Sequence, residues 1–162
     1  MPLPFIIFKP IGLIKSPFKD IEGMPIQPAG AYGVRGEVEI FPEYVEGIKD
    51  LDGFSHIILL YHFHLVEDSS LTIVPFLDST PRGVFATRAP RRPNPVGLSI
   101  VRLVAVRKNI LDIENVDIVD GSPLLDIKPY VPEFDHHQVE RIGWLQKAAG
   151  KVRHVISDGR FK

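Results

Sequence analysis

The amino-acid sequence predicts an all-β protein, built as a barrel or a barrel-like sheet with few helices. Short apolar runs alternate with Gly/Pro-rich turns, and only two stretches show helical periodicity. The dinucleotide fingerprint of a Rossmann domain is missing, because Gly30, Gly33 and Gly36 have the wrong spacing and precede a strand instead of following one. The predicted fold is therefore mainly β and non-Rossmann.

The first forty residues are predicted to contain two strands and a loop. Residues 5–14 are rich in Phe and Ile and predict a strand, which Pro10 confines to a sheet edge. Residues 23–33 are rich in Gly and Pro and predict a loop. Apolar and charged side chains alternate over residues 34–40, which is the pattern of a strand with one buried face.

A helix and a central strand are predicted next. Residues 43–51 carry apolar side chains at helical spacing, Pro42 suits the first turn, and Gly53 supplies a stop. Residues 55–65 are almost continuously apolar apart from their histidines, which predicts a strand buried on both faces.

The remaining chain is predicted to contain four more strands and a helical tail. The strands cover residues 83–87, 98–106, 110–119 and 124–130, with a turn at residues 120–123, and the helix covers residues 137–149. We expect one β-barrel domain over residues 1–135 and a short, helical C-terminal tail over residues 136–162 that is not a second domain.

The composition is that of an ordinary globular protein, with 44% hydrophobic residues and a formal net charge of −1. Contact with nucleic acid would therefore require a local basic patch. The absence of cysteine excludes disulfides, thiolate metal sites and a thiol nucleophile. Pro2, Pro4 and Pro10 interrupt the apolar start of the chain, which predicts neither a signal peptide nor a membrane span, and we expect a cytoplasmic protein.

Residues 87–99 read Thr-Arg-Ala-Pro-Arg-Arg-Pro-Asn-Pro-Val-Gly-Leu-Ser and combine three arginines with three prolines. Arginines on a stiff backbone lose less entropy when they bind a phosphate or a carboxylate, so the pattern indicates an anion-binding loop. A Pro-rich surface turn or a polyproline II ligand is the alternative. The apolar strands predicted on both sides favour the anion-binding loop.

Histidines and carboxylates offer further candidates for a site. His56, His62 and His64 share one strand face, and two of them could converge on a metal ion, but no carboxylate is near in sequence and we expect no metal. His64, near the strand end, is expected to make a polar contact at a pocket mouth. Asp117 lies inside an apolar strand and so requires a partner, whereas Asp120 suits turn chemistry.

A last polar set, Asp126, Lys128 and Tyr130, shares one face of its strand. The charged pair is either an exposed ion pair or part of a site.

Seven segments match one known family in order and spacing. They are residues 11–18 (Ile-Gly-Leu-Ile-Lys-Ser-Pro-Phe), Phe54-Ser-His56, Phe63-His64, residues 83–88 (Gly-Val-Phe-Ala-Thr-Arg), residues 92–99 (Arg-Pro-Asn-Pro-Val-Gly-Leu-Ser), residues 119–123 (Val-Asp-Gly-Ser-Pro) and residues 126–130 (Asp-Ile-Lys-Pro-Tyr). On these segments the chain resembles the TrmO family, also described as TsaA-like or YaeB/VirR-type proteins, over nearly all of its β portion.

The resemblance implies an S-adenosylmethionine-dependent methyltransferase that acts on tRNA. Members methylate N6 of N6-threonylcarbamoyladenosine (t6A) next to the anticodon, giving m6t6A. The implied fold is a single-sheeted antiparallel β-barrel, and the implied assembly is a homodimer with the cofactor close to the subunit interface. The implied partner is the anticodon stem-loop of tRNA.

The resemblance also implies site residues. Those that bind the cofactor would be Gln27, Pro28, Ala29, His64, Leu65, Arg88, Leu98, Glu114, Asn115, Val116 and Asp117. Candidates for catalysis are Arg88, Asp117 and Tyr130, and candidates for contact with substrate or RNA are Arg91, Arg92, Asn94 and Lys128, with Tyr130 or Phe85 stacking on the base. Two features depart from relatives: Ile26 replaces a common Arg, and only a short tail follows Pro132.

Two other classes of protein are alternatives. The chain could be a non-catalytic RNA-binding barrel, which would gain no thermal protection from S-adenosylmethionine. It could also be an adaptor that presents the Pro/Arg-rich loop to a partner, in which case that loop should be mobile and cleavable.

Overall fold

The computed structural model of the chain describes Met1 and residues 3–161, so that Pro2 and Lys162 lie outside the described residues. Its strands are β1 (Gly12–Lys15), β2 (Arg35–Ile40), β3 (His56–His62), β4 (Thr72–Ile73), β5 (Arg82–Gly83), β6 (Val96–Arg107), β7 (Ile110–Glu114) and β8 (Ser122–Pro129). Six of them close into an antiparallel barrel in the order β1-β2-β7-β6-β3-β8, and β4 pairs with β5 in a separate ribbon. The predicted single-sheeted antiparallel barrel is confirmed.

Alternating side chains of the barrel strands build the core. On β3, Ile57, Leu59 and Tyr61 point inward and are buried, whereas the residues between them are half-buried. The prediction of a strand buried on both faces is therefore wrong, because each strand of a small barrel turns only one face to the interior. On β2, Val38 and Ile40 are buried, as the alternation over residues 34–40 predicted.

Several strands are shorter than predicted. Residues 5–11 belong to no strand, and β1 begins only at Gly12. The predicted strand over residues 110–119 ends at Glu114, because Asn115 adopts a left-handed backbone conformation with φ 67°. The predicted strand over residues 83–87 shrinks to β5 followed by a 3₁₀ turn at Val84–Ala86.

The helices are short and mostly of the 3₁₀ type. The helix predicted over residues 43–51 is replaced by 3₁₀-helices at Pro42–Ile48 and Leu51–Gly53, and Asp50, which is left-handed with φ 65°, separates the two. The others are α1 (Pro132–Asp135) and 3₁₀-helices at Pro28–Gly30, Gly143–Ala148, Val152–His154 and Gly159–Phe161. In the part of the chain that the structure describes, no helix has the length and apolar character to cross a membrane.

The C-terminal tail differs from its prediction in form. The prediction of one helix over residues 137–149 is wrong, since residues 137–142 are not helical. The tail folds back on the loop before β2, where Pro25 and Ile156 form an isolated antiparallel bridge. Ala148 and Phe161 are buried, so the tail packs onto the barrel domain.

Candidate active site

A cavity of about 790 Å³ lies where the barrel meets the loop before β2, the segment after β5 and the C-terminal tail. Its wall is mainly apolar and contains a few charged or polar side chains, among them Gln27, His64, Arg88, Arg92 and Asp117. Small-molecule sites commonly have volumes of roughly 300–1,000 Å³ and this mixture of apolar surface with a few polar groups. The cavity is therefore the candidate site.

Asp117 is the buried carboxylate of the cavity wall, with only 9% of its surface exposed. The hydroxyl of Ser99 donates a hydrogen bond of 2.6 Å to its Oδ1 atom. The Tyr61 hydroxyl lies 3.0 Å from Ser99 Oγ, and it is the donor there because the Ser99 proton is directed to Asp117. The three residues form a buried chain of hydrogen bonds that ends at the carboxylate.

The protonation of this chain follows from its burial. Desolvation raises the pKa of Asp117 to about 6, although the hydrogen bond from Ser99 and the charge of Arg88 act in the opposite direction. Burial, followed by the nearby Asp117 charge, raises the pKa of Tyr61 far above its ordinary value, so Tyr61 stays protonated. A carboxylate with a pKa near 6 can take up or release a proton close to neutral pH.

Arg88 connects two parts of the site that are distant in sequence. Its Nη1 atom donates a hydrogen bond of 3.3 Å to Oε1 of Gln27, and both side chains line the cavity. A guanidinium at this place can pair with a carboxylate in a two-point contact, which suits a ligand that carries such a group.

Arg92 stabilises its own loop. Its Nη1 atom donates hydrogen bonds to the carbonyl oxygens of Thr87 at 2.9 Å and Ala89 at 3.1 Å, with a longer contact of 3.4 Å to that of Val84. These contacts all use Nη1 and tie the side chain to its own loop, so the predicted role of Arg92 as a contact for RNA or a carboxylate stays a prediction.

Of the other residues predicted to meet RNA, Phe85 lines the cavity, whereas Arg91, Asn94, Lys128 and Tyr130 do not. Arg91 forms an ion pair of 3.1 Å with Asp68, and its carbonyl accepts a hydrogen bond from the Ser70 amide. Asn94 is exposed. These contacts hold residues 87–95 against the neighbouring loop, which does not fit a mobile segment offered to a partner domain.

His64 lies just beyond β3 and lines the cavity, as the sequence predicted for a contact at a pocket mouth. Its Nδ1 atom is 3.3 Å from Ser122 Oγ, and burial, with a smaller effect of His62, lowers its pKa. His56 instead contacts Ser55 Oγ at 2.9 Å. Among the described residues no group of three or more His, Asp or Glu side chains could hold a metal ion.

The cavity brings together about half of the residues predicted to bind the cofactor. Gln27, His64, Leu65, Arg88, Leu98 and Asp117 line it, whereas Pro28, Ala29, Glu114, Asn115 and Val116 do not. Glu114 pairs with Arg35 at 3.2 Å and Arg102 at 3.5 Å, Asn115 accepts a hydrogen bond of 2.9 Å from the Gly33 amide, and Val116 is buried in the core.

Lys128 on β8 and Tyr130, the residue that follows its end, also lie away from the cavity wall. Lys128 forms an exposed ion pair of 2.9 Å with Asp126. Tyr130 packs edge-on against His56, with 6.5 Å between the ring centroids. The exposed ion pair is thus the better interpretation of Asp126 and Lys128. Among the catalytic candidates, the geometry supports Asp117 and Arg88 over Tyr130.

Sequence reasoning missed two parts of the site. Ser99 and Tyr61 were not predicted, although Ser99 is a polar residue on the inward-facing side of an apolar strand, which was a usable signal. The tail residues Trp144, Leu145, Ser157 and Phe161 also line the cavity. Nothing local in the sequence indicates that contact, because it depends on how the tail folds back.

A closed antiparallel barrel whose cavity has a mixed apolar and charged wall places the chain among small β-barrel proteins without a Rossmann domain. A family profile described as tRNA-methyltransferase O N-terminal domain matches residues 13–136. The chain belongs to this family, and the predicted family is confirmed.

Individual relatives agree with this assignment. A probable S-adenosyl-L-methionine-binding protein of Pyrococcus abyssi is 55% identical over 162 residues, which cover 99% of this chain and 88% of that one. A tRNA (adenine(37)-N6)-methyltransferase of Escherichia coli is 38% identical, over 77% of this chain and 57% of that protein. The crystal structure of TrmO from Pseudomonas aeruginosa superposes with a TM-score of 0.73 at 38% identity and covers 87% of this chain and 63% of that one.

These names confirm, for the family, the predicted class of enzyme and its cofactor: relatives are described as S-adenosylmethionine-binding proteins and as methyltransferases. The chain spans little more than half the length of the E. coli relative.

Proposed function

We propose that this protein transfers a methyl group from S-adenosylmethionine to N6 of t6A, next to the anticodon of tRNA, and so produces m6t6A. The observation that carries the proposal is the buried Asp117 carboxylate, held by Ser99 and Tyr61 at the wall of a cavity that Arg88 also lines. Membership of the tRNA-methyltransferase O family supports the class of reaction.

The residues of the cavity fit this cofactor. S-adenosylmethionine supplies an activated methyl group on a positively charged sulfonium. Leu65 and Leu98 offer apolar surface, Asp117 is a negative group that can accept hydrogen bonds from an amine or a hydroxyl, and Arg88 can pair with a carboxylate. The donor set therefore matches a ligand that has both apolar parts and charges of each sign.

Asp117 is also suited to take the N6 proton. In t6A the lone pair of N6 is delocalised into the carbamoyl carbonyl, so the nitrogen is a weak nucleophile unless its proton is removed. A base whose pKa lies near the working pH does this best, and burial brings the pKa of Asp117 to about 6. Ser99 occupies Oδ1, and Oδ2 is the second oxygen that can accept the proton.

Arg88 is the residue that suits the threonyl side of the acceptor. The threonylcarbamoyl group ends in a carboxylate, and so does the amino-acid portion of the cofactor. A guanidinium fork matches either one, and the fixed contact with Gln27 orients it before a ligand arrives.

The homodimer expected from the resemblance belongs to the same proposal. Leu3, Phe5, Ile6, Ile7 and Phe8 are all exposed in the single chain, which is unfavourable for so many large apolar side chains and fits packing on a second copy. Sedimentation of the wild type and of a variant with Phe5→Ser and Ile7→Ser tests this, and a monomeric wild type would contradict it.

The decisive experiment is mass spectrometry of tRNA nucleosides after incubation with S-adenosylmethionine. Matched substrates are one tRNA that carries t6A and the same transcript with unmodified adenosine. We expect one added methyl group on t6A and none with the Asp117→Asn variant. If no nucleoside gains a methyl group while S-adenosylmethionine still binds, the protein is not this enzyme. If S-adenosylmethionine also gives no thermal protection, a non-catalytic RNA-binding barrel becomes the better description.

A further inference from the structure

The C-terminal tail supplies a wall of the cavity. Trp144, Leu145, Ser157 and Phe161 line it, together with residues of the barrel domain. All four lie beyond residue 136, where the family match ends, so the match gives them no role. Trp144 presents the largest flat aromatic surface among them.

Trp144 is held in place from two sides. Its indole Nε1–H donates a hydrogen bond of 2.8 Å to the carbonyl oxygen of Ala86. The guanidinium of Arg82 lies over the indole ring, 5.9 Å from its centroid, and is fixed in turn by a 2.6 Å hydrogen bond from Nε to Oδ2 of Asp78. Arg82 itself is not among the residues that line the cavity.

The surroundings of Trp144 are those of a stacking site. Phe85, the residue before the hydrogen-bonded Ala86, also lines the cavity and is 74% exposed. Most of this aromatic side chain is therefore open to a ligand. Aromatic rings that are fixed before binding stack on bases at little entropic cost, and they accept any base with a flat face.

We propose that Trp144 is a purine-binding residue whose indole stacks on an adenine ring in the cavity. The inference rests on the proposed function, because both reactants of that reaction contain adenine: the cofactor and the tRNA nucleoside. Trp144 positions the ring and takes no part in proton transfer. The tail thereby provides a contact surface for the base within the short chain.

The protein has a single tryptophan, so its intrinsic fluorescence reports directly on this ring. The wild-type chain is titrated with S-adenosylhomocysteine and, separately, with an anticodon stem-loop that carries t6A. Methionine and a stem-loop with a pyrimidine at the same position serve as controls. We expect at least one adenine-containing ligand to quench the fluorescence and shift its maximum, and the controls to have little effect.

Two substitutions separate stacking from support of the fold. Trp144→Phe keeps an aromatic face but loses the hydrogen bond to Ala86, and Trp144→Leu loses both. By calorimetry, Trp144→Leu should weaken binding of the stacked ligand about tenfold, while Trp144→Phe should retain most of the affinity. Ile142→Ala is the control in the tail, since Ile142 is exposed and does not line the cavity.

The two ligands identify which adenine is stacked. Weakened binding of S-adenosylhomocysteine assigns Trp144 to the cofactor, and weakened binding of the stem-loop alone assigns it to the acceptor base. Unchanged affinity of both ligands in a folded Trp144→Leu variant, or binding without any change in fluorescence, overturns the inference. A purine-dependent fluorescence change without any tRNA methylation would refute the proposed function and leave the stacking role standing.

Discussion

Ser99 and Asp117 are 18 residues apart in the sequence, and their side chains share a hydrogen bond of 2.6 Å inside the protein. Ser99 lies on β6, and Asp117 follows the end of β7, which is the neighbour of β6 in the barrel. Tyr61 on β3, the other neighbour of β6, completes the chain of hydrogen bonds. The registers of three adjacent strands therefore place a charged group at the cavity wall.

Asp117→Asn should abolish most of the methyltransferase activity. An amide cannot accept the N6 proton, so we expect kcat to fall by roughly 100-fold or more. In the wild type, kcat/KM should rise with pH through about 6, where Asp117 becomes ionised, and then level off. Single-turnover rates between pH 5 and 8 measure both effects. Because Asp117 is also placed against the cofactor, the rates are compared at saturating S-adenosylmethionine, and an unchanged kcat would exclude Asp117 as the base.

The same substitution should make the protein more stable at neutral pH. Burial raises the pKa of Asp117 in the folded state to about 6, above the unfolded value, so the folded state binds more protons between roughly pH 4 and 6. The contribution of Asp117 to the stability of the folded state is therefore complete below pH 4 and is lost as the pH rises through 6. Asp117→Asn removes that loss, so the free energy of unfolding should rise by on the order of 1–3 kcal/mol at pH 7.5.

Urea denaturation at pH 4 and at pH 7.5 checks this prediction. The difference between wild type and Asp117→Asn should be small at the lower pH and large at the higher one. A variant that is less stable at pH 7.5 would mean that the ionised carboxylate has a stabilising partner beyond Ser99.

Arg88→Ala should weaken binding of one carboxylate-bearing ligand. Isothermal calorimetry with S-adenosylhomocysteine, and methylation of t6A compared with unmodified adenosine, distinguish the two possible partners. Loss of cofactor affinity by about tenfold or more assigns Arg88 to the cofactor. Loss of preference for t6A at unchanged cofactor affinity assigns it to the threonyl group. Arg88→Lys keeps the charge without the planar fork, so it should recover little of the cofactor affinity or of the preference for t6A. If neither quantity changes, the residue has no part in binding.

Arg92 should prove to be a structural residue despite its position in a basic segment. Arg92→Ala and Arg92→Lys both remove the guanidinium whose Nη1 atom donates to the carbonyls of Thr87 and Ala89. We expect a loss of about 1–3 kcal/mol in the free energy of unfolding for each variant. The slope of tRNA affinity against salt concentration should not change, because no phosphate contact is removed. If this salt slope is reduced in Arg92→Ala but not in Arg92→Lys, Arg92 contacts RNA after all.

The sequence was most informative where structure depends on local pattern. Alternation identified β2 and the burial of Val38 and Ile40. The motifs that match the family led to a cavity with Arg88 and Asp117. Patterns of this kind reflect which face of a strand is buried, and they can be read without knowing the partners of that strand.

Features that depend on distant contacts could not be predicted in this way. The left-handed conformation of Asn115 ends β7 early, and its amide side chain bonds to Gly33, far away in the chain. Arg92 looks like an anion-binding residue in sequence, but its partners are carbonyls of its own folded loop. Charge and stiffness alone do not tell a binding loop from a self-stabilised one.

Ser157→Ala should loosen the loop that carries Gln27 and weaken cofactor binding. Ser157 is only 5% exposed; its Oγ donates to the Ile21 carbonyl and accepts a hydrogen bond of 3.1 Å from the Met24 amide. Alanine leaves that buried amide without this partner, at a cost of about 1–3 kcal/mol. Hydrogen exchange of the Met24 amide should speed up, and cofactor affinity should fall. Ser79→Ala, at an exposed serine, is the control. Unaltered exchange and affinity would show that the tail does not organise this loop.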